Sequence, residues 1–207
     1  MKDRGFIFFV VSLFLLSFFL VLHDSNASVF SNGSHCVAYK AKKRMMFVKI
    51  VDVVGKNCSV TSQVLPDIGG FFAIKVAIPI ENFESGEAER DKDVKKLLKV
   101  EKQDSLYFTT KKMNKSDWQN LLKKDGRVPI KGYLNIGGSD FPVTAQVKFL
   151  STEKGIEADG KIETTFKDLS LDPPQLFGGV MAQVKQDLEL YFHLQSDKTL
   201  GFDSLVQ

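Results

Sequence analysis

From residue 34 onward the chain alternates apolar and polar positions, the period of strands that bury one face. Phe72, Ile74, Val76, Ile78 and Ile80 alternate with Ala73, Lys75, Ala77 and Pro79. Val143, Ala145, Val147 and Phe149 alternate with Thr144, Gln146 and Lys148. Near the end, Val184, Leu188, Leu190, Phe192 and Leu194 fall on one face, with Lys185, Asp187, Glu189, Tyr191 and His193 on the other. Ile130, Gly132, Leu134 and Ile136 give a shorter version, and residues 46–54 and 59–65 read as less regular strands. Gly55-Lys56-Asn57, Gly69-Gly70, Gly137-Gly138, Lys154-Gly155 and Asp159-Gly160 carry turn composition between the runs. Hairpin-sized spacing predicts antiparallel neighbours, and this many strands in about 180 residues predicts a sandwich or a closed barrel.

Two segments change period. Asp91 to Val100 places Val94, Leu97 and Leu98 on one helical face, with Asp91 as the expected N-cap. Ser116 to Lys124 has a capping serine, an apolar face of Trp118, Leu121 and Leu122, and Gly126 as a stop. Helices this short require the sheet for support. At the other extreme, Gly5 to Leu22 is apolar apart from Ser12 and Ser17, follows Lys2 and Arg4, and gives way to His23-Asp24-Ser25-Asn26-Ala27. That is the pattern of a secretory signal peptide, residues 1–27, cut after Ala27. An uncleaved anchor is the alternative, since the run is near the minimum for spanning a bilayer. Residues 28–207 then form a single domain that folds in an oxidising compartment.

That compartment gives Cys36 and Cys58 a reading as one disulfide. Free buried thiols are the alternative, and no standard metal-ligand spacing surrounds them. The 207 residues carry 28 Lys and Arg against 25 Asp and Glu, an excess too small and too spread to indicate nucleic-acid binding. Catalysis needs a nucleophile, a base and an orienting group. Beyond the leader only His35 and His193 remain, neither beside a nucleophile elbow, and His193 reads as a solvated residue on a polar strand face. Glu81, Glu84, Glu87, Glu89, Asp91 and Asp93 lack the calcium-loop rhythm and lie among Arg90 and lysines, as a self-neutralising stretch would. The glycine pairs lack the sequence of a phosphate loop. The reading is a non-enzymatic protein with neither metal nor cofactor.

Ile78-Pro-Ile-Glu-Asn-Phe-Glu-Ser-Gly-Glu-Ala-Glu-Arg90-Asp91 resembles a segment of the YceI-like family in which a strand ends at Ser/Thr-Gly and an Arg-Asp pair opens a helix. Gly132-Tyr-Leu134-Asn-Ile136-Gly-Gly138 with Phe141-Pro142-Val143 is similar to the family's next hairpin, and Phe166-Lys-Asp-Leu-Ser-Leu-Asp-Pro-Pro through Phe177-Gly-Gly to its C-terminal signature. Together they span residues 71 to 195. Where the family often has a histidine two positions after Arg-Asp, this chain has Asp93. The resemblance implies an all-β fold with one or two short helices, a lipocalin-like extended antiparallel eight-stranded barrel. It also implies a periplasmic role, sequestering or carrying a long isoprenoid or amphiphilic lipid, such as a quinone or its precursor.

Geometry is compatible with that role. Eight-stranded barrels have room for side chains or one slender ligand, and eight residues of strand span ~26 Å. The wall residues expected to touch lipid are Phe72, Ile74, Val76, Ile78, Val143, Val147, Phe149, Leu188, Leu190 and Phe192. The other reading is a filled barrel acting as an envelope interaction module. Lys95, Lys96 and Lys99 on the first helix would make transient membrane-surface contact or form a solvated face.

Overall fold

The computed structural model describes residues 29–30, 34–45, 49–176 and 182–206; the expected signal peptide at residues 1–27 lies outside them. The strands are β1 (Cys36–Met45), β2 (Lys49–Asn57), β3 (Thr61–Asp67), β4 (Phe71–Pro79), β5 (Ser105–Thr110), β6 (Met113–Asn114), β7 (Arg127–Ile136), β8 (Ser139–Thr152), β9 (Gly155–Thr165), β10 (Gln175–Leu176), β11 (Ala182–Gln195) and β12 (Thr199–Leu200). The helices are α1 (Ala88–Leu97), α2 (Lys115–Leu122) and α3 (Asp203–Val206). One sheet runs in the order β12-β3-β4-β5-β7-β8-β9-β11-β1-β2, with β6 beside β4 and β10 beside β11. Among the described residues nine strands have six residues or more, against the eight expected, and three short helices against one or two.

Alternation sets the curl. Along β7, Val128, Ile130, Gly132, Leu134 and Ile136 are buried, and along β8 Val143, Ala145 and Val147 are buried between exposed Thr144, Gln146 and Lys148. The β7–β8 hairpin turns on Gly137 and Gly138, with φ of 57° and 84°. Two consecutive positive-φ residues are what a tight hairpin with matched strand twist requires.

Two expected turns are instead strand. Gly55 lies within β2 and Gly160 within β9. An added Cβ at Gly160 would stand 2.2 Å from Phe192 Cζ, and one at Gly55 2.4 Å from the Tyr39 ring. These glycines make room for aromatic side chains of the neighbouring strand, a use of strand glycine that composition does not separate from a turn.

The sheet curls into a half-barrel whose two edges, β2 and β3–β12, are joined by other means than a ladder. Cys36 and Cys58 form the disulfide, tying the start of β1 to the β2–β3 junction. The Asn57 side chain donates to the Pro79 carbonyl at 2.7 Å, and Lys56 pairs with Glu84. Asn57 is 1% exposed. His35 Nδ1 accepts from Gln195 N–H at 3.1 Å, its Nε2 lies 3.5 Å from Ser62 Oγ, and Ser62 Oγ meets Thr199 Oγ1 at 2.7 Å.

The helices complete the enclosure. α1 starts three residues before the expected cap: Glu87 holds the N-cap position without a side-chain bond, while Asp91 accepts from Ser85 N–H and hydroxyl. α2 is capped by Asn114, whose carbonyl oxygen accepts from Asp117 N–H at 2.8 Å, rather than by Ser116. Trp118 on α2 is fully buried and donates to the Phe72 carbonyl at 3.0 Å. α3 contributes fully buried Leu205. A small second cluster of Phe30, Cys36 and Ala38 packs with Val29, Val54 and Tyr191, separate from the main core.

Candidate ligand-binding cavity

Inside the curl lies a cavity of about 430 Å³, within the range of sites that take small molecules. Strands build most of its wall. β4 supplies Ile74, Val76 and Ile78, β8 Val147 and Phe149, and β11 Leu188, Leu190 and Phe192. Those eight are residues that alternation points inward. The other two expected wall residues do not line it. Val143 is buried in the core, and Phe72 is half-buried against it, with its carbonyl held by Trp118.

Strand alternation also leaves part of the wall unread. Phe108 on β5 and Ile162 on β9 line the cavity, as do Trp118 on α2 and Phe166, Leu169 and Leu171 after β9. Trp118 was legible as part of an apolar helical stripe, though not as wall. From α1 and its C-cap, Val94, Leu97 and Leu98 reach the cavity, the same three residues that the sequence places on the helix's apolar face.

Polar groups at the wall are few. Thr110 Oγ1 accepts from Ile74 N–H at 2.9 Å. The Tyr39 hydroxyl is buried without a hydrogen-bond partner among the described residues, and burial pushes its pKa above the usual value. Nearby, Arg90 clamps the loop before α1: Nε donates to Ser85 Oγ at 2.7 Å, Nη2 to the Ser85 carbonyl at 2.6 Å, and Nη1 lies 3.2 Å from Glu87. Lys95 pairs with Glu81 at 2.7 Å, so part of the acidic stretch is neutralised as its composition suggests. Among the described residues the lining holds no histidine, cysteine or serine. It is a wall for packing, which recognises shape and apolar area.

His193 corrects the sequence reading. It is 9% exposed, with Nε2 3.4 Å from Glu157 and Nδ1 3.9 Å from Asp159. Its strand face is the outer one, as alternation requires, but β9 side chains cover it there. His35 is also buried, and burial lowers its pKa, with the charge of Lys198 adding to the effect.

Solved structures share this fold. BcnA from Burkholderia cenocepacia aligns at 14% identity over 76% of this chain and 94% of its own, with a TM-score of 0.55. A polyisoprenoid-binding domain from Saccharophagus degradans, implicated in plant cell wall breakdown, aligns at 11% identity over 76% of this chain and 91% of its own, with a TM-score of 0.53. No curated protein matches. Residues 24–196 match the YceI-like domain, and the chain belongs to the YceI-like family.

Proposed function

We propose that the protein carries or stores a long-chain isoprenoid or other amphiphilic lipid, held with its tail inside the half-barrel and released unchanged. The apolar cavity of about 430 Å³ carries this reading. A sixteen-methylene tail buried against such walls would gain about 13 kcal/mol gross, before the costs of ordering and association. That is enough for retention without any covalent or ionic bond. The structural neighbour from Saccharophagus degradans is described as a polyisoprenoid-binding domain, which supports the same ligand class here. A quinone or its precursor is the narrower candidate. The apolar leader and the Cys36–Cys58 disulfide both favour a periplasmic site of action. Transient contact with membrane surfaces would bring the lipid to the cavity.

The test is organic extraction of the mildly purified protein followed by mass spectrometry. A stoichiometric long-chain lipid is expected. An extract free of such lipid, together with no gain in stability on adding long-chain isoprenoids, would remove the proposal.

A further inference from the structure

Hairpin tips in water are normally made of polar residues and glycine. The tip joining β3 to β4 is Ile68-Gly69-Gly70, closed by the pair Asp67 and Phe71. Both glycines have positive φ, 85° and 77°, and make the turn. Ile68 contributes nothing to the core, being 94% exposed, and Phe71 is 43% exposed. An added Cβ at Gly69 would lie 3.7 Å from the Phe71 ring, so the ring lies along the turn. Two large apolar side chains thus stand in solvent within one tight hairpin end. The strand registers put Tyr133, also exposed, on the same outer face of the sheet as Phe71, through Lys75 and Thr109.

Cationic side chains surround this end. Phe71 pairs with Asn114, so Lys112 and Lys115 flank it, and Lys112 holds Asp67 at 2.6 Å. Lys111 stands 6.0 Å above the Tyr133 ring, and its backbone N–H donates to the Lys131 carbonyl at 2.8 Å. Lys123 and Lys124 follow at the far end of α2, ~12 Å from Lys115. Residues 111–131 carry seven cationic side chains and two carboxylates, an excess greater than the +3 of the whole chain. Among the described residues Lys111, Lys115, Lys123, Lys124 and Lys131 have no ion-pair partner. The lysines of α1 lie elsewhere. They follow the opposite end of β4, ~26 Å from the tip, and Lys95 is already paired with Glu81.

We infer that this end of the molecule docks on an anionic lipid bilayer, with Ile68 and Phe71 entering the acyl boundary and the lysines meeting lipid phosphates. Weak apolar insertion and a basic patch each hold a protein only marginally, and together they hold it reversibly. Tyr133 suits the depth between them, where an apolar ring with a polar tip is favoured. A protein partner fits less well. Lysine is depleted in protein interfaces, and a protruding tip with two apolar side chains falls far short of the ~800 Å² that each side of a stable interface buries. This pose also sets α2, whose Trp118 lines the cavity, against the bilayer. The inference rests on the carrier reading for its purpose, since a lipid carrier must reach a membrane, and locates that contact on the molecule.

The experiment sediments purified protein with vesicles of phosphatidylcholine or of phosphatidylglycerol. Binding to phosphatidylglycerol is expected, and it should weaken in high salt. Ile68→Ser and Phe71→Ser should each weaken it about tenfold, and Lys111→Gln and Lys115→Gln about fivefold each. Ile68→Trp should bind like the wild type, with emission that moves to the blue on vesicles. Lys96→Gln with Lys99→Gln should change nothing. Position 68 is so exposed that its variants should melt with the wild type. Wild-type protein left in the supernatant, undiminished binding by both serine variants, or binding lost in the α1 variant instead, overturns the docking surface. So does a dimer that Ile68→Ser dissolves in the absence of vesicle binding, which would make the tip a contact between copies. Lipid extracted from the same preparations separates the two proposals. Protein that carries lipid but ignores vesicles refutes the docking surface alone, and protein that docks but carries no lipid refutes the carrier reading alone.

Discussion

Gly132 and Gly160 occupy inward positions of β7 and β9, where a side chain would have to share space with Phe108 and Phe192. The two differ in what stands in the way. A Cβ at Gly132 would lie 2.6 Å from the Thr109 carbonyl oxygen, which is backbone, and 2.8 Å from Phe108 Cε2. At Gly160 the nearest atom is ring, Phe192 Cζ at 2.2 Å, with the Gln146 carbonyl oxygen at 2.9 Å. Both glycine-to-alanine changes should therefore cost about 1–3 kcal/mol, the usual penalty of overpacking, seen as a lower denaturant midpoint at unchanged m. Adding Phe192→Leu to Gly160→Ala should recover much of the loss, whereas adding Phe108→Leu to Gly132→Ala should recover little. Equal recovery in the two pairs would mean the rings are not what the glycines accommodate. Gly160 follows Asp159, a pairing whose local chemistry is that of a turn, and nothing nearby in sequence announces an aromatic side chain arriving from residue 192. His193 was misread for the same reason. Period two assigns it to the outer face, but burial there depends on Glu157 and Asp159, brought in by the β9–β11 ladder.

Among the elements, the least regular feature is the closure between β2 and β3–β12, where side chains take over from the ladder. The disulfide was readable from two cysteines behind an apolar leader with the pattern of a secretory signal. The rest was not, because Ser62 and Thr199 meet across 137 residues of sequence. Replacing both cysteines by serine should lower stability by about 3 kcal/mol, the loop-entropy value for a bridge of this span, measured by denaturation under otherwise identical conditions. His35 makes the same closure sensitive to acid. Its Nδ1 accepts from Gln195 N–H, so the folded protein holds a neutral ring, and burial lowers its pKa from the ordinary 6.5. Below pH 6.5 the unfolded chain takes up the proton more readily than the folded one, so stability rises with pH in that window. The contribution is complete above pH 6.5 and is lost as pH falls through the lowered value. His35→Gln cannot titrate there, and its stability should fall less than that of the wild type between pH 7.5 and pH 5. Parallel profiles for the two proteins would show that His35 does not report on the closure.

For the molecule as a whole, alternation reveals which side chains point inward but not whether they meet in the middle. Ile74, Leu188 and Phe192 would read identically in a filled barrel and in a hollow one, because the distance between opposite walls depends on strand tilt and stagger. The cavity settles which geometry this chain adopts, and it has a thermodynamic consequence. A ligand that binds only the folded state at a hundred times its Kd adds about 2.7 kcal/mol. For a chain of this size that corresponds to about 5–10 °C in Tm, so lipid-stripped protein should melt lower than lipid-loaded protein by that order. Ala158 provides the sharper probe. It lines the cavity from β9, is half-buried, and lies opposite Phe149 and Leu194. In a packed core, Ala158→Phe would force its neighbours apart at about 1–3 kcal/mol. Here the new ring should enter open space, leaving the stability of the lipid-free protein nearly unchanged while reducing the lipid recovered per molecule several-fold. A variant that unfolds more easily yet still carries a full complement of lipid would place the ligand outside the half-barrel.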